Sequence, residues 1–172
     1  MSKVLVVSDS HGLTSELIKI RERHLNEVDL MLHCGDSELQ ADDQVLEGYV
    51  VVRGNCDFGE QFPEESIQMI DGKRILLTHG HHYNVKSTLV SLSYRAEELK
   101  ADIACFGHSH ILGAEMYNGV LFINPGSIRL PRLRKEKTYC VLEIIDDKVT
   151  LNVYDVTLGI LPTLKHEFVL HS

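Results

Sequence analysis

The 172-residue sequence lacks the features that mark several classes of protein. Its four cysteines form no CxxC pair, which argues against a zinc-ribbon or dithiol redox protein. No apolar run approaches membrane-spanning length, and the first one, residues 4–7, is interrupted by Ser8 and Asp9, so we expect neither a signal peptide nor a membrane segment. Scattered thiols without an export signal predict a cytoplasmic protein.

The sequence also has no excess of positively charged residues. The 17 Lys and Arg residues are outnumbered by 25 Asp and Glu residues, which gives a formal net charge of −8. Since proteins bind nucleic-acid backbones through Lys and Arg, we expect no stable nucleic-acid binding. A chain of this length buries about 70% of its unfolded surface on folding, so it needs no metal ion to hold its core. Any bound metal is therefore expected to take part in chemistry.

The sequence contains no repeat, linker or low-complexity segment, which predicts a single domain over residues 1–172. Apolar spacing predicts helices over residues 13–25 and 86–100. We predict strands over residues 3–7, 29–33, 49–53, 67–70, 74–78 and 103–106, and hairpin turns at residues 71–72, 118–119 and 146–148. Helix-linked strands followed by hairpins predict an α/β protein with two stacked mixed sheets flanked by helices.

Five of the apolar strands each end in a cluster of metal-ligand residue types. The clusters are residues 8–12, 33–36, 54–57, 78–81 and 107–110. Because ligands gather at the carboxyl ends of strands in sheets with helical crossovers, we expect these clusters to meet at one edge. The candidate metal ligands are Asp9, His11, Asp36, Asn55, His79, His108 and His110.

The spacing of these donors indicates more than one ion. In Asp9-Ser10-His11 and His108-Ser109-His110, one small residue separates two donors, so both point to the same side of an extended backbone. Seven donors are too many for one tetrahedral ion, whereas two ions that share a carboxylate would use them all. Imidazole mixed with carboxylate favours manganese, iron, zinc or nickel over calcium.

In their order along the chain, these motifs resemble those of the calcineurin-like metallophosphoesterases. The matching segments are DSH at residues 9–11, GD at 35–36, GNCD at 54–57, His79, GHSH at 107–110 and NPGS at 124–127. GNCD and NPGS in so short a chain resemble in particular the small bacterial YfcE/YsnB-like phosphodiesterases. The resemblance implies a four-layer αββα sandwich of two mixed β-sheets flanked by helices.

The resemblance also implies a chemistry. Asp9, His11 and His110 would bind a first divalent cation, Asn55, His79 and His108 a second, and Asp36 would bridge them. The pair would be manganese first, with iron, zinc or nickel as alternatives, and a hydroxide between the two ions would hydrolyse a small phosphate ester, most readily a diester. Asp36, Asn55 and His79 would be catalytic, and Asn55 and Arg129 would bind substrate. The alternatives are a phosphomonoesterase and a protein-interaction scaffold like the retromer subunit. The protein could form a homodimer or a higher homo-oligomer, and the sequence does not decide between these states.

One position departs from the family pattern. Many relatives have GNH where this chain has GNCD, and that His is a proposed proton donor to the leaving alcohol. Here the position is Cys56, which we interpret as a small packed residue, so activity is expected to favour esters with good leaving groups. Asp57 is expected to orient a neighbouring histidine.

Other residues have simpler interpretations. Cys34 and Cys105 lie in apolar runs and are expected in the core. A phosphate clamp and a solvated loop are equally good interpretations of the basic cluster formed by Arg129, Arg132 and Arg134. His33, His81 and His82 are expected near the metals or on the surface, and His24, His166 and His171 are expected to face solvent.

Overall fold

The computed structural model describes residues 1–59 and 61–170. Within that part of the chain, two α-helices and twelve strands are formed, together with three short 3₁₀ turns. In chain order they are β1 Ser2–Val7, α1 Ser15–His24, β2 Leu30–His33, a turn Gln44–Leu46, β3 Tyr49–Val51, β4 Glu65–Ile70, β5 Lys73–Thr78, a turn His81–Tyr83, α2 Val90–Glu98, β6 Ile103–Cys105, β7 Gly113–Tyr117, β8 Val120–Asn124, β9 Thr138–Ile145, β10 Lys148–Asp155, β11 Gly159–Ile160, a turn Pro162–Leu164 and β12 His166–Val169.

The predicted strands are confirmed, but the second helix is shorter than predicted. It begins at Val90 instead of residue 86. Asn84 has a left-handed backbone with φ of 56°, and its carbonyl accepts from the N–H groups of Ser87 and Thr88. The Thr88 hydroxyl then accepts from Val90 N–H at 3.2 Å. These local bonds satisfy the backbone of residues 84–89 in turns, so α2 begins only after them.

The strands form two mixed sheets. The first has the order β11-β10-β9-β1-β2-β3, with β12 also paired to β10, and the second has the order β4-β5-β6-β8-β7. β1, β2 and β3 are parallel, as are β5, β6 and β8. The remaining strand pairs are antiparallel and include the three predicted hairpins.

Side chains alternate between the two faces of the central strands and thereby define four layers. In β1, Val4 and Val6 pack between the sheets, whereas Leu5 and Val7 pack on the layer that contains α1. In the second sheet, Leu76 of β5 packs toward the layer of α2 while its neighbours face the first sheet. Burial on both faces explains why these strands are continuous apolar runs. The arrangement is the four-layer αββα sandwich.

The two edges of the sandwich are different. The carboxyl ends of β1, β2, β3, β5, β6 and β8 lie at one edge, which we call the carboxyl edge. The hairpin turns at residues 71–72, 118–119 and 146–147 lie at the opposite edge. There the Ser2 hydroxyl donates to Asp71 of the other sheet, and the Lys73 ammonium pairs with Asp147.

His24 does not face solvent, and this prediction is wrong. Its side chain is 1% exposed, donates or accepts at 2.8 Å with the Tyr139 hydroxyl, and packs edge-on against the Tyr154 ring. The helix turns His24 toward the sheet because its neighbours in the last turn are charged. His166 is exposed as predicted, and His171 lies outside the described residues. Neither helix in the described ranges is long and apolar enough to span a bilayer.

Candidate metal centre

The carboxyl edge brings together all the strand ends that the sequence singled out. Hydrogen bonds between the loops hold them in place: Asp9 N–H donates to Gly35 O at 3.0 Å, His11 N–H to Asp36 O at 2.9 Å, and Gly107 N–H to His79 O at 3.0 Å. The first two bonds join the loops of one sheet, and the third joins two loops of the other. Side chains from both sheets meet between these loops.

Two glycines allow the loops to approach this closely. A Cβ on Gly54 would overlap the Asp36 carboxylate, and a Cβ on Gly107 would overlap Ser8 Oγ and Asp9 Oδ2. Both positions therefore require glycine for space. This explains the glycine in the GN and GH motifs in physical terms.

Asp9, His11 and His110 form one group of donors. His110 Nε2 lies 3.2 Å from Asp9 Oδ1 and 3.3 Å from His11 Nε2, and His11 Nε2 lies 3.7 Å from Asp9 Oδ1. Ligands that each lie about 2.0 to 2.2 Å from one ion are separated by about 3 to 4 Å. The group therefore has the spacing of three ligands around one cation.

Asp36, His79 and Asn55 form a second group next to the first. His79 Nε2 lies 3.2 Å from Asp36 Oδ2 and 3.1 Å from Asn55 Oδ1. Asp36 Oδ2 also lies 3.8 Å from His11 Nε2, so this carboxylate lies between the two groups. That Asp36 bridges two ions stays a prediction.

Three of the histidines are oriented by their outer nitrogens. The Nδ1 atoms of His79 and His110 donate to the carbonyls of Cys34 and Leu130, both at 2.8 Å, and His11 Nδ1 donates to the Glu38 carboxylate at 2.6 Å. Since a carbonyl or carboxylate only accepts, each Nδ1 has the proton, and each Nε2 directs its lone pair inward. This is the usual arrangement of metal-binding histidines.

Two observations test whether a cation fits here. Asp9 is fully buried, and its Oδ1 atom has no hydrogen-bond partner, although it lies at the centre of the first group. The inward lone pairs of His11 and His110, 3.3 Å apart, cannot bond to each other while both rings are neutral. A cation would give all three atoms a partner, so the residues present fit a metal ion.

The pKa values show that the site favours positive charge. Burial raises the pKa of Asp9, but the nearby imidazoles of His110 and His79 outweigh burial and lower the pKa overall. Burial raises the pKa of Asp36 too, but the nearby His79 imidazole and the N–H of Cys56 lower it overall. Burial lowers the pKa of His79, but the nearby carboxylates of Asp36 and Asp9 raise it overall. Both carboxylates are thus ionised at neutral pH, and a cation between them is stabilised.

His108 contacts the first group through its backbone and lies next to the second group through its ring. Its backbone N–H donates to Asp9 Oδ2 at 3.1 Å, and its ring lies 5.1 Å from the ring of His79 between centroids. Burial, followed by the nearby positive charges of His79 and Lys86, lowers the pKa of His108 to about 4. Its neutral imidazole is therefore available as a donor beside His79.

Two residues beside the candidate ligands differ from the sequence predictions: Glu38 was not identified, and Asp57 was assigned another partner. Glu38, which orients His11, was missed because nothing in the loop sequence distinguishes it from a surface acid. Asp57 was expected to orient a histidine. Instead its carboxylate accepts from the N–H groups of Asp36 at 2.9 Å, Gly54 at 2.7 Å and Glu38 at 2.8 Å, so it holds the Asp36 loop.

The NPGS segment braces the same edge. The Ser127 hydroxyl donates to Asp9 O at 2.7 Å, and the Asn124 amide donates to Gly107 O and to Ser109 Oγ. Arg129 follows after Ile128, and its exposed guanidinium donates to the carbonyl of His11. Arg129 therefore lies beside a candidate ligand, and its role as a phosphate clamp stays a prediction.

The cysteines lie in two environments, the hydrophobic core and the candidate metal centre. Cys34 and Cys105 are fully buried in the core, as predicted. Cys56 is only partly buried, and its sulfur lies within 4.8 Å of donor atoms of His11 and Asp36. Burial and the Asp36 carboxylate raise the pKa of the Cys56 thiol to about 11. The departure from GNH thus places a weakly acidic thiol beside the candidate bridging ligand.

The fold and the donor groups together define a class, the calcineurin-like phosphoesterases, and comparison with known proteins agrees. Residues 2–147 match the family model described as the calcineurin-like phosphoesterase superfamily domain. The chain belongs to this superfamily.

Three individual proteins show which members of the superfamily this chain resembles. The chain is 54% identical over 152 residues, 88% of its length and 90% of the relative's, to the probable metallophosphoesterase YsnB of Bacillus subtilis. A crystal structure of a predicted phosphoesterase from Streptococcus pneumoniae superposes with a TM-score of 0.93 at 36% identity, covering 98% of this chain and 97% of the other. The phosphodiesterase YfcE of Escherichia coli is 27% identical over 110 residues, 59% of this chain and 55% of that protein.

Proposed function

We propose that the protein is a metal-dependent phosphodiesterase that hydrolyses small phosphate esters with two divalent cations, manganese first. The observation that supports this most directly is the convergence of inward Nε2 atoms on two buried carboxylates, one of which has an oxygen without a partner. In the proposed assignment Asp9, His11 and His110 hold one ion, Asn55, His79 and His108 hold the other, and Asp36 contacts both. When bound, such a pair supplies a hydroxide nucleophile at neutral pH and stabilises negative charge on the phosphoryl oxygens.

The protein groups around the ions position the substrate. Asn55 is exposed at the mouth of the site, and its amide can donate to a phosphate oxygen. Arg129 lies against the His11 carbonyl, where its remaining N–H donors can reach a second phosphate oxygen. Arg129 adds one positive charge near the reacting phosphate in a chain whose net charge is −8.

The preference for diesters is supported by the similarity to the phosphodiesterase YfcE of Escherichia coli. An open cavity of about 540 Å³ contacts the GHSH loop at Ser109 and is also lined by Lys86, Phe106 and Asn124. None of the seven candidate ligands lines this cavity, so it does not bear on the choice between diester and monoester.

Leaving-group protonation is the weak point of this site. A thiol is a poorer proton donor at neutral pH than an imidazolium. We therefore expect aryl esters, whose alcohols leave without help, to react faster than alkyl esters. Equal rates across a series of aryl and alkyl diesters would show that another group donates the proton.

The scaffold alternative predicts an altered donor set, and all seven positions here have a competent donor. The test is metal analysis of the purified protein, followed by parallel assays of bis-p-nitrophenyl phosphate and p-nitrophenyl phosphate with added manganese. We expect at least two ions per chain and faster turnover of the diester. Faster turnover of the monoester would indicate a monoesterase, and no turnover of either with both ions bound would favour the scaffold.

Two further properties are proposed, a cytoplasmic location and a homo-oligomeric state. All four cysteines are free, and three of them are buried, which suits a reducing cytoplasm. A homo-oligomer would most often be a two-fold dimer. Light scattering of the purified protein measures its mass and decides between monomer and oligomer.

A further inference from the structure

We propose that Glu64, His81 and His82 form a third cation site, separate from the seven candidate ligands, for a borderline divalent ion such as Zn²⁺. Each of the three residues offers a donor atom, and these atoms all lie within 4.8 Å of one another. His82 Nε2 lies 3.3 Å from Glu64 Oε2, and the two imidazole rings are 4.0 Å apart between centroids. None of the three is one of the seven candidate ligands, although His81 lies in the same loop as His79.

An independent observation at His81 points to a missing partner. Its Nδ1 atom is buried, yet it has no hydrogen-bond partner. The ring is held on a short 3₁₀ turn that follows Gly80, where Tyr83 N–H donates back to Gly80 O at 2.9 Å. A buried imidazole nitrogen without a partner is destabilising, and a bound ion on this triad would offset the cost.

The Glu64 carboxylate is oriented so that one oxygen is available. Its Oε1 accepts from the Arg53 guanidinium at 3.2 Å, and Arg53 is in turn fixed by donating to Asp57 O at 3.2 Å. The second oxygen, Oε2, faces His82. Arg53 thus fixes the carboxylate from outside, as an outer partner of a metal ligand does, and leaves Oε2 for an ion.

The donor set indicates which ion would bind. Two imidazoles and one carboxylate are the protein ligands of open zinc sites, in which a water occupies the fourth position. Such a set suits zinc, nickel or copper better than magnesium or calcium. His82 is exposed, so an ion can enter from solvent.

The triad is adjacent to the main centre but uses other donors. The ring of His81 lies 5.3 Å from that of His79 and 6.1 Å from that of His108, between centroids. The proposed ion would therefore add positive charge next to the candidate pair without replacing any of its ligands.

The test counts bound zinc in untagged protein by equilibrium dialysis and metal analysis. We expect His82→Gln and Glu64→Gln each to bind one equivalent fewer than wild type. His166→Gln, which removes an exposed histidine from β12, is the matched control and should bind as wild type does. Circular dichroism of the variants should match wild type, because Glu64 and His82 are exposed and make no core contacts.

The same measurement in the Asp36→Ala variant distinguishes failure of this site from failure of the proposed function. In Asp36→Ala protein, His82→Gln should again remove one equivalent, whether or not the candidate pair still binds. Equal zinc content of wild type and His82→Gln in both backgrounds would overturn the proposal. So would a zinc-soaked crystal with no anomalous peak between Glu64, His81 and His82.

Discussion

The two edges of the sandwich use the same unusual backbone conformation for different purposes. At the opposite edge, Asp71, Asn118 and Asp146 have φ near 50° because they begin tight turns between antiparallel strands. At the carboxyl edge, five of the seven candidate ligands also have positive φ: Asp9, His11, Asp36, His108 and His110, between 42° and 70°. Asp, Asn and His all adopt this conformation more readily than other residues with a side chain, so the two edges differ in what the conformation achieves and not in residue type. At the opposite edge it closes hairpins, and at the carboxyl edge it lies within the loops of candidate ligands.

The difference shows where the fold stores strain. A left-handed residue other than glycine is destabilised by roughly 1 kcal/mol or more, and such residues persist where surrounding contacts enforce them. In hairpin turns, the strand pairing that the turn permits offsets this destabilisation. The ligand loops gain no strand pairing in return and are held by hydrogen bonds to neighbouring loops and to the side chains of Asp57 and Ser127. We therefore infer that the carboxyl edge is organised for metal binding at the expense of stability.

Replacement of one carboxylate at each edge tests this contrast most strongly. Asp36→Ala should lower the turnover of bis-p-nitrophenyl phosphate by about 10³-fold, since loss of a preorganised charge at a reacting phosphate has effects of this order. Asp146→Ala removes a carboxylate with similar φ, 53° against 58°, and should leave turnover unchanged. Wild-type turnover by Asp36→Ala with manganese would show that the bridging assignment is wrong.

Manganese should stabilise the carboxyl edge and leave the opposite edge unaffected. At a concentration a thousandfold above the dissociation constant, a ligand that binds only the folded state adds about 4 kcal/mol. For a chain of this size that corresponds to an increase in Tm of about 10 °C. Thermal melts with manganese and with a chelator measure the increase, which Asp146→Ala should retain and Asp36→Ala should largely lose. No shift in wild type would mean that the donors do not bind the ion.

Much of the difference between the carboxyl edge and the opposite edge was predictable from the sequence. Apolar runs that end in Asp, Asn or His predicted both the strands and the edge at which their ends meet, because parallel strands have their carboxyl ends on one side. The hairpins were predictable for a local reason, since Asn118-Gly119 and Asp71-Gly72 are turn sequences.

The contacts inside the ligand loops were not predictable. Whether Asp57 holds a histidine or the backbone of Asp36 depends on the path of two loops through left-handed positions, and no local signal marks Asp36 as left-handed. His24 was assigned to solvent for a similar reason, because its burial depends on the two tyrosines it meets across 115 and 130 residues of sequence. Tertiary contacts decide such cases.

Acid should destabilise the carboxyl edge through His33. This fully buried side chain bonds to the Ser10 hydroxyl at 2.8 Å and accepts from Gly35 N–H at 3.0 Å. Burial lowers its pKa from 6.5 to about 4, so the unfolded chain binds a proton in this window and the folded chain does not. Stability from this group is complete above pH 6.5 and is lost as the pH falls toward 4, by up to about 3 kcal/mol.

Denaturant unfolding of the metal-free protein between pH 7 and pH 4 measures this loss. His33→Asn should be less stable at pH 7, and its stability should fall less steeply with acid than that of wild type. Asp71→Asn, at the opposite edge, should keep the wild-type slope. Parallel pH profiles for wild type and His33→Asn would show that His33 does not cause the acid sensitivity.

The smallest expected effect is at the hairpin turn of Asn118. Asn118→Ala should lower the free energy of unfolding by roughly 1 kcal/mol, because alanine tolerates φ of 49° less well than asparagine, while Asn118→Gly should change it by less than about 0.5 kcal/mol. Turnover and bound metal should be unchanged in both variants, since the turn lies at the edge away from the ligands. If Asn118→Ala instead lowered metal content, strain at the two edges would be coupled through β8, whose far end, Asn124, donates to the GHSH loop at Gly107 O.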